Sequence, residues 1–262
     1  MLVQMASILA LAASPVAGIQ LELKPGDVLT YRTTYESTSV NLGEKNSSRT
    51  TETKRYEVLS EAGGWFHIRE TVVDSKREAI SGSALPYDST GLVVTFDVYR
   101  ALLMRNWKLV DAGRLGEEEG KRLASNAKST ESRGFMGLVL PGGDLKVGTR
   151  WEHKNVPSAG SFKATDVSVT RDTLTVRYTV VKFENLRRER HAVIEARIDG
   201  KYEQTLSGII SIVTHVKEKR KYWLNATTGV VSKFESELDS RMNISGQEID
   251  SITTSKTELV SD

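Results

Sequence analysis

The chain has 262 residues, of which 39% are hydrophobic and 27% are charged, and its 36 basic and 34 acidic side chains nearly cancel. That length suits one large β domain or two half-sized ones, and the balanced charge argues against the basic surface expected of a nucleic-acid-binding protein. The chain contains no cysteine, which excludes disulfides, thiol catalysis, zinc–thiolate sites and the cysteine anchor of a bacterial lipoprotein.

Residues 1–18 are typical of a signal peptide. An apolar run over residues 8–13 is followed at 14–18 by small residues and a proline, which suit a cleavage site. No basic residue precedes Lys24, so a buried strand or a disordered tail is the alternative. No other stretch approaches the roughly 18 apolar residues of a membrane span. We therefore expect an exported protein, periplasmic or extracellular, with no transmembrane span.

Residues 19–98 are predicted to form a first β-meander. Its opening turn contains the pair Pro25-Gly26, which suits a type II turn because proline presets φ and glycine accepts a positive φ. Runs rich in β-branched and aromatic residues then predict four strands. These strands are expected at residues 28–36, 50–60, 65–73 and 92–98.

Residues 99–143 are predicted to connect two β units and to contain one helix. Gly116–Glu119 places acidic residues in the first helical turn, and Lys121 and Lys128 follow, an order that complements the helix dipole. The apolar run Phe135–Leu140 comes next, before a Pro-Gly-Gly hinge. We expect a helix, an apolar plug and a hinge into the second unit.

Residues 144–262 are predicted to form the second β-meander. Alternating apolar positions indicate strands at residues 162–170 and 174–183, joined as a hairpin by a tight turn at 171–173. The pair Asp199-Gly200 lies inside a later strand-like run. It could form a hairpin turn, or it could lie in the middle of one strand. Further strands are expected at residues 191–204 and 208–216.

Residues 230–245 give the strongest strand signal. Apolar residues and serines alternate there with residues that are mostly charged, and a period of two excludes an amphipathic helix. At about 3.3 Å per residue this strand would be roughly 50 Å long, which predicts a large, twisted sheet. Residues 247–259 have mostly polar faces, so they are predicted to return antiparallel as an edge strand.

A short phrase recurs in the two halves. Residues 23–27 read Leu-Lys-Pro-Gly-Asp and residues 145–149 read Leu-Lys-Val-Gly-Thr, each followed by an aromatic residue, Tyr31 or Trp151. A Thr-Gly turn into a valine-rich strand recurs as well. Such self-similarity indicates a duplicated β unit. We predict a β-rich α+β fold: a large curved antiparallel sheet or half-barrel of two similar meanders, with one helical segment between them.

These turns, the Leu140-Pro141 pair before the second of them and the closing Thr-Gly-Val-Val strand resemble an uncharacterised family of bacterial exported β-rich proteins. The resemblance covers most of the chain. It implies a β-rich domain that follows a signal peptide, and it brings no catalytic or binding residue. The expected sheet is also similar in fold to the half-barrel lipid carriers of bacterial envelopes, and fold alone does not give function.

No motif in the sequence is typical of catalysis or metal binding. There is no Gly-x-Ser-x-Gly elbow, no phosphate-binding loop and no His-Glu-x-x-His pattern. We therefore predict no catalytic residue, no metal site, no cofactor and no enzyme activity. A hydrolase with an unrecognised carboxylate or histidine site is the weakest alternative. The four histidines are His67, His153, His191 and His215.

Two basic clusters, residues 187–191 and 217–221, are placed at turns between strands. If both lie at one end of the sheet, they could meet anionic lipid head groups or an envelope polymer or protein. Solvated turns are the alternative and the favoured interpretation. Nucleic acid is not expected, because no aromatic residues are interleaved with the basic ones.

The long strand suggests a concave apolar face, with the plug as a lid and a lipid or other amphiphile as ligand. The predicted function is an exported, non-catalytic β domain of the cell envelope that binds such a ligand. The alternative is a structural or interaction protein in which the same face is only the core. The candidate ligand-binding residues are Phe234, Leu238, Met242, Ile244, Phe135 and Met136.

Overall fold

The computed structural model describes residues 18–82, 87–116, 133–154, 167–172, 175–206 and 210–260. Within these ranges thirteen strands form one sheet, and all of their pairings are antiparallel. The first six are β1 (Val28–Asn41), β2 (Glu44–Ala62), β3 (Trp65–Ser81), β4 (Leu92–Tyr99), β5 (Leu103–Ala112) and β6 (Arg133–Gly134). The other seven are β7 (Arg150–Lys154), β8 (Val167–Asp172), β9 (Thr175–Leu186), β10 (Glu189–Leu206), β11 (Ile210–Asn225), β12 (Val231–Ile244) and β13 (Gln247–Val260).

The strands form two arms that meet at the centre of the sheet. Their order is β6-β5-β4-β3-β2-β1-β13-β12-β11-β10-β9-β7, and β8 also pairs with β10. The first arm, β1 to β6, joins the second arm, β7 to β13, where β1 pairs with β13. There Thr33 lies opposite Thr257, and their hydroxyl groups are hydrogen-bonded over 2.9 Å. The first and last described strands therefore make the two arms one continuous sheet.

The sheet curls around the segment 135–137. Phe96 in β4 packs on Phe135 with ring centroids 6.0 Å apart, and Tyr178 in β9 donates a hydrogen bond to the carbonyl oxygen of Gly137. In a flat sheet these two strands would lie about 38 Å apart, because eight intervals of about 4.8 Å separate them. Strong curvature is needed for both to reach one short segment. The concave face formed in this way holds the hydrophobic core.

The expected α+β fold with a helical segment is wrong, because the described residues contain no helix and therefore none that could cross a membrane. Leu103–Ala112, assigned to the connector, forms β5 and pairs with β4. This strand is interrupted by a positive φ of 55° at Asn106 and by a register shift against β4. Inward and outward side chains therefore do not alternate regularly along it. Residues 117–128 of the predicted helix and residues 1–17 of the predicted signal peptide lie outside the described residues.

The predicted hairpin at residues 171–173 is also wrong. β8 and β9 both run beside β10, where Asp172 lies opposite Tyr202 and Thr175 lies opposite Asp199. They therefore follow one another along a single line of the sheet. Asp199 and Gly200 are mid-strand residues of β10, opposite Lys217 and Val216 of β11, so the possible turn at this pair does not form.

The long alternating strand does form as β12, over Val231–Ile244. β13 returns antiparallel beside it, as predicted. Its predicted position at the sheet edge is wrong, because β13 pairs with β1 on its other side. The polar side chains of β13 meet hydroxyl groups across the sheet: Ser236 with Ser255 at 2.8 Å, and Ser240 with Ser251 at 2.7 Å. A polar strand is accommodated at the centre because its neighbours are polar on the same face.

The two Lys-x-Gly turns have the same hydrogen bonds. The amide of Gly26 donates to the carbonyl of Val58, and the amide of Gly148 donates to that of Val180, both over 2.8 Å. The amide of each lysine is bound by a side chain three residues later, from Asp27 or Thr149. The glycines have φ of 92° and 87°, which L side chains rarely adopt. Both turns thus start β1 and β7 in the same register on their partners β2 and β9.

Candidate ligand cavity on the concave face

A cavity of about 390 Å³ opens on the concave face near the middle of the sheet. Its lining comes from both arms and from the segment 135–137, so it exists only because the sheet curls. Its lining contains aromatic rings, those of Tyr31, Tyr35, Tyr56, Phe96, Trp107, Phe135 and Phe234. It also contains charged groups and hydroxyl groups, those of Lys54, Glu70, Glu218, Arg220, Thr33, Ser236, Ser255 and Thr257.

Strand register places these side chains on one face. Directly opposite residues of an antiparallel pair point to the same side of the sheet, and Tyr222 lies opposite Phe234 with ring centroids 5.0 Å apart. Two residues further along, Arg220 lies opposite Ser236, which in turn lies opposite Ser255. Glu70 lies directly opposite Tyr56 and Thr257 directly opposite Phe234, so charged and hydroxyl groups are interleaved with the aromatic ones on this face.

The segment 135–137 forms a fixed wall of the cavity. The amide of Phe135 donates to the carbonyl of Leu102 over 2.6 Å, and its ring meets Tyr56 edge-on at 5.6 Å. The carbonyl oxygen of Gly137 accepts hydrogen bonds from the hydroxyl groups of Tyr178 and Tyr222, over 2.9 and 3.0 Å. The apolar run predicted to act as a lid is thus tied to both arms and built into the core.

The positive charges of the cavity are neutralised within it. The Lys54 ammonium lies 3.0 Å from Glu70 and 3.8 Å from Glu52. Burial acts to lower the pKa of Lys54, but the interactions with Glu70, Tyr56, Tyr35 and Glu52 together outweigh it, and the pKa stands well above its usual range. Arg220 donates two hydrogen bonds to Glu218, each over 2.7 Å. This fork geometry makes the pair strong and directional.

Two tyrosines of the cavity are held in the protonated form. Burial raises the pKa of Tyr31 above its ordinary value, and burial together with the charge of Glu70 raises that of Tyr56. The hydroxyl of Tyr31 is buried and has no hydrogen-bond partner among the described residues. A buried polar group without a partner is costly, so this wall of the cavity contains one unmet hydrogen-bonding group.

The structure divides the predicted ligand-binding residues into two sets. Phe234, Phe135 and Met136 line the cavity. Leu238, Met242 and Ile244 do not line it; by alternation along β12 they lie on the same face as Phe234, partly buried, further towards the end of the strand. The predicted apolar face is therefore continuous with the cavity.

The charged half of the cavity was missed by sequence reasoning. Residues 217–221 were placed in a turn, but they lie inside β11. Alternation sends Glu218 and Arg220 inward, and it sends Lys217, Lys219 and Lys221 outward. The inward pair could have been found, because a Glu-x-Arg step in a strand puts opposite charges on one face. The contribution of Tyr31, Lys54 and Glu70 had no local signal, because these residues belong to three different strands.

Two of the four histidines, His67 and His191, have hydrogen-bond partners in the folded chain. His67 lies 2.9 Å from Asp97 on β4. His191 is buried, with one ring nitrogen 2.8 Å from the Ser232 hydroxyl and the other 2.9 Å from the carbonyl of Glu189. No cluster of three or more histidine, aspartate or glutamate side chains suitable for a metal ion occurs in the part of the chain that the structure describes.

Two larger depressions, of about 640 and 620 Å³, have linings rich in charged side chains. Oppositely charged groups face one another there across neighbouring strands, as Lys219 and Glu237 do at 4.0 Å. Neither lining contains a phenylalanine, tyrosine or tryptophan. The cavity of 390 Å³ is the one that places aromatic and polar groups side by side.

Comparison with known proteins gives a similarity of fold. A structure that describes lipid–protein interactions in lipovitellin matches with a TM-score of 0.51 and 13% identity, over 92% of this chain and 26% of that chain. This chain thus spans about a quarter of the length of that protein chain. An outer membrane channel from Pseudomonas putida F1 matches with a TM-score of 0.34 and 10% identity, over 92% and 97% of the two chains. A protein with a YmcC-like fold from Bacteroides fragilis NCTC 9343 matches with a TM-score of 0.26 and 7% identity, over 93% and 97%.

No family model matches the sequence, and no curated protein matches it. The expected family of exported proteins is therefore not identified by these comparisons. The similarity to the lipovitellin structure shows a shared β fold, and the two lower TM-scores support no further argument.

Proposed function

We propose that this protein binds a lipid or other amphiphile in the cavity of its concave face, as a non-catalytic β domain of the cell envelope. The observation that carries the proposal is the lining, which places aromatic rings beside charged and hydroxyl groups in one cavity. Its volume of about 390 Å³ lies within the range usual for small-molecule sites, which combine a mainly apolar wall with a few placed polar groups.

The surroundings of the cavity support an amphiphilic ligand. Leu238, Met242 and Ile244 continue the apolar face along β12 beyond Phe234, so a chain longer than the cavity has a surface to lie on. The wall at residues 135–137 is held by hydrogen bonds to both arms. A pre-formed site of this kind loses little conformational entropy when a ligand binds.

Two further observations support the ligand class and the location. The lipovitellin structure, similar in fold, concerns lipid–protein interactions, although fold by itself does not give function. The pattern of residues 1–18 supports export to the cell envelope. The hydrogen-bond partners of His67 and His191 support a structural role for both residues.

Native mass spectrometry of the purified protein, with two matched variants, tests this proposal. Ser236 lines the cavity and pairs with Ser255, whereas the neighbouring Thr254 is exposed and lies by alternation on the opposite face of the sheet. We expect wild type to carry a co-purifying amphiphile and to take up a fluorescent fatty-chain dye. Ser236→Leu, which fills the cavity, should weaken dye binding at least tenfold, and Thr254→Leu should leave it within twofold.

If wild type shows only the mass of the chain and takes up no dye, the cavity binds no amphiphile. The alternative of a structural or interaction protein, whose concave face is only a core, would then replace this proposal. Equal dye binding by wild type and Ser236→Leu would place the ligand elsewhere.

A further inference from the structure

The cations that line the cavity are already paired. Lys54 is bound to Glu70 at 3.0 Å and Arg220 to Glu218 at 2.7 Å, with side-chain exposures of 24% and 13% for the first pair and 21% and 11% for the second. Glu52, which is buried, lies 3.8 Å from the same lysine. Two cations therefore face three carboxylates in this part of the core.

An anionic head group is poorly suited to this wall. It would have to displace Glu70 or Glu218 from its cation, and the displaced carboxylate would remain in the core without its partner, which is strongly unfavourable. A cationic head group would lose its water shell and find only carboxylates that already have partners. Charge therefore argues against both kinds of ionic amphiphile.

Uncharged hydrogen-bonding groups are present in the same lining. Thr33 and Thr257 share one hydrogen bond at 2.9 Å, and Ser236 and Ser255 share one at 2.8 Å. Each hydroxyl has one hydrogen and two lone pairs, so the Ser236–Ser255 pair retains a hydrogen and lone pairs after its mutual bond. Thr33 is also hydrogen-bonded to Tyr35, so the threonine pair retains mainly lone pairs. The hydroxyl of Tyr31 also lacks any partner among the described residues, but its oxygen is buried.

We propose that the polar part of the ligand is uncharged, bearing hydroxyl or ester groups as an acylglycerol does, and that it is bound by this row of hydroxyl groups. The inference rests on the proposed amphiphile binding and adds the chemical class of the head group. The apolar chain then lies against Phe135 and Phe234, and the head group lies towards the β1–β13 junction.

Calorimetric titration with three amphiphiles of one chain length tests the inference, each kept below its micelle concentration: glycerol monolaurate, laurate and dodecylammonium. Wild type should bind glycerol monolaurate at least tenfold more tightly than either ion. Ser255→Ala should weaken binding of glycerol monolaurate about twofold to tenfold, the usual effect of losing one neutral hydrogen bond. Ser251→Ala, which breaks the matched pair outside the cavity, should change it less than twofold.

Three outcomes would contradict these expectations in distinguishable ways. If laurate or dodecylammonium binds as tightly as glycerol monolaurate, the uncharged head group is ruled out while amphiphile binding stands. If glycerol monolaurate is preferred but Ser255→Ala binds it like wild type, the hydroxyl row is not its partner. If none of the three binds and no amphiphile co-purifies, the proposed function itself fails.

Discussion

The hydroxyl of Tyr222 donates a hydrogen bond to the carbonyl oxygen of Gly137 over 3.0 Å, across 85 residues of sequence. Tyr178 donates to the same oxygen over 2.9 Å, and Arg220 approaches it at 3.3 Å. One backbone carbonyl of the first arm's terminal segment thus connects β9 and β11 of the second arm. Through this carbonyl, the wall of the cavity is held in the curl of the sheet.

The two tyrosine hydroxyls should stabilise the fold cooperatively. We expect Tyr178→Phe and Tyr222→Phe each to lower the free energy of unfolding by about 1 kcal/mol, the net value of a neutral hydrogen bond. The double variant should lose more than the sum, because the carbonyl of Gly137 then keeps only the longer bond to Arg220. Urea unfolding measures all three values. Tyr99→Phe, at a residue 38% exposed, is the control, and strict additivity would contradict the shared-acceptor argument.

Gly137 should tolerate no side chain. Its φ is 74°, and a Cβ would lie 2.1 Å from a terminal nitrogen of Arg220 and 3.3 Å from the Tyr222 hydroxyl. Gly137→Ala should cost about 1–2 kcal/mol for the backbone conformation, with a further 1.5–3 kcal/mol or so if the charged hydrogen bonds of Arg220 are displaced.

Gly63→Ala is the matched control for this substitution. Gly63 has a φ of 59°, and a Cβ at this position would have no described atom within 4 Å, so only the backbone cost of about 1–2 kcal/mol applies. Thermal or urea unfolding of the two variants should separate them clearly. Equal losses would show that Arg220 moves aside without cost.

The Lys54–Glu70 pair should contribute more than an exposed pair. Glu70→Gln leaves the ammonium of Lys54 without its nearest counter-charge, and we expect a loss of about 2–4 kcal/mol at neutral pH, since the pair is largely buried. Glu78→Gln is the control. Its partner Lys76 is 70% exposed, and exposed pairs of that kind contribute little to stability because solvent screens them. A loss below 1 kcal/mol for Glu70→Gln would show that Glu52 or water replaces the missing charge.

Stability should fall steeply in alkaline solution. The pKa of Lys54 is raised in the folded chain, since Glu70 and the other neighbouring groups together outweigh burial, and burial raises the pKa of Tyr31 and, to about 12, that of Tyr222. Folded-state pKa values above the unfolded ones favour the native state below about pH 10, and this contribution is lost as the pH rises through the folded values. Tyrosinate absorbance followed together with circular dichroism should show these tyrosines ionising only as the chain unfolds. Complete ionisation before unfolding would contradict their burial.

Local patterns were sufficient where one strand or one turn was concerned. The alternation of residues 230–245 predicted β12, and the phrase at residues 23–27 and 145–149 predicted two turns with the same hydrogen bonds. The prediction was wrong at Leu103–Ala112, where the positive φ of Asn106 breaks the alternation. Turn-forming residues at 171–173 suggested a hairpin, yet β8 and β9 lie along one line beside β10.

The cavity was predicted only in part, because the sequence shows its apolar residues but not which charged residues face inward. Phe234, Phe135 and Met136 belong to apolar runs, and a hydrophobic pattern marks such runs in a single sequence. Lys54 and Glu70 occur in polar strands, where a charged residue usually faces water. The polar composition of β13 suggested an edge position, because nothing along the chain indicates that β1, more than 200 residues earlier, has matching hydroxyl groups.

The sequence by itself determined that the chain is rich in strands, where several turns lie, and which residues of each strand share a face, because these properties depend on neighbours one to four positions apart. The tertiary structure decided which strands are adjacent and how strongly the sheet bends. Those properties depend on contacts such as Tyr222 with Gly137 and Thr33 with Thr257, which form only when distant segments meet. The charged and aromatic halves of the cavity come together for that reason alone.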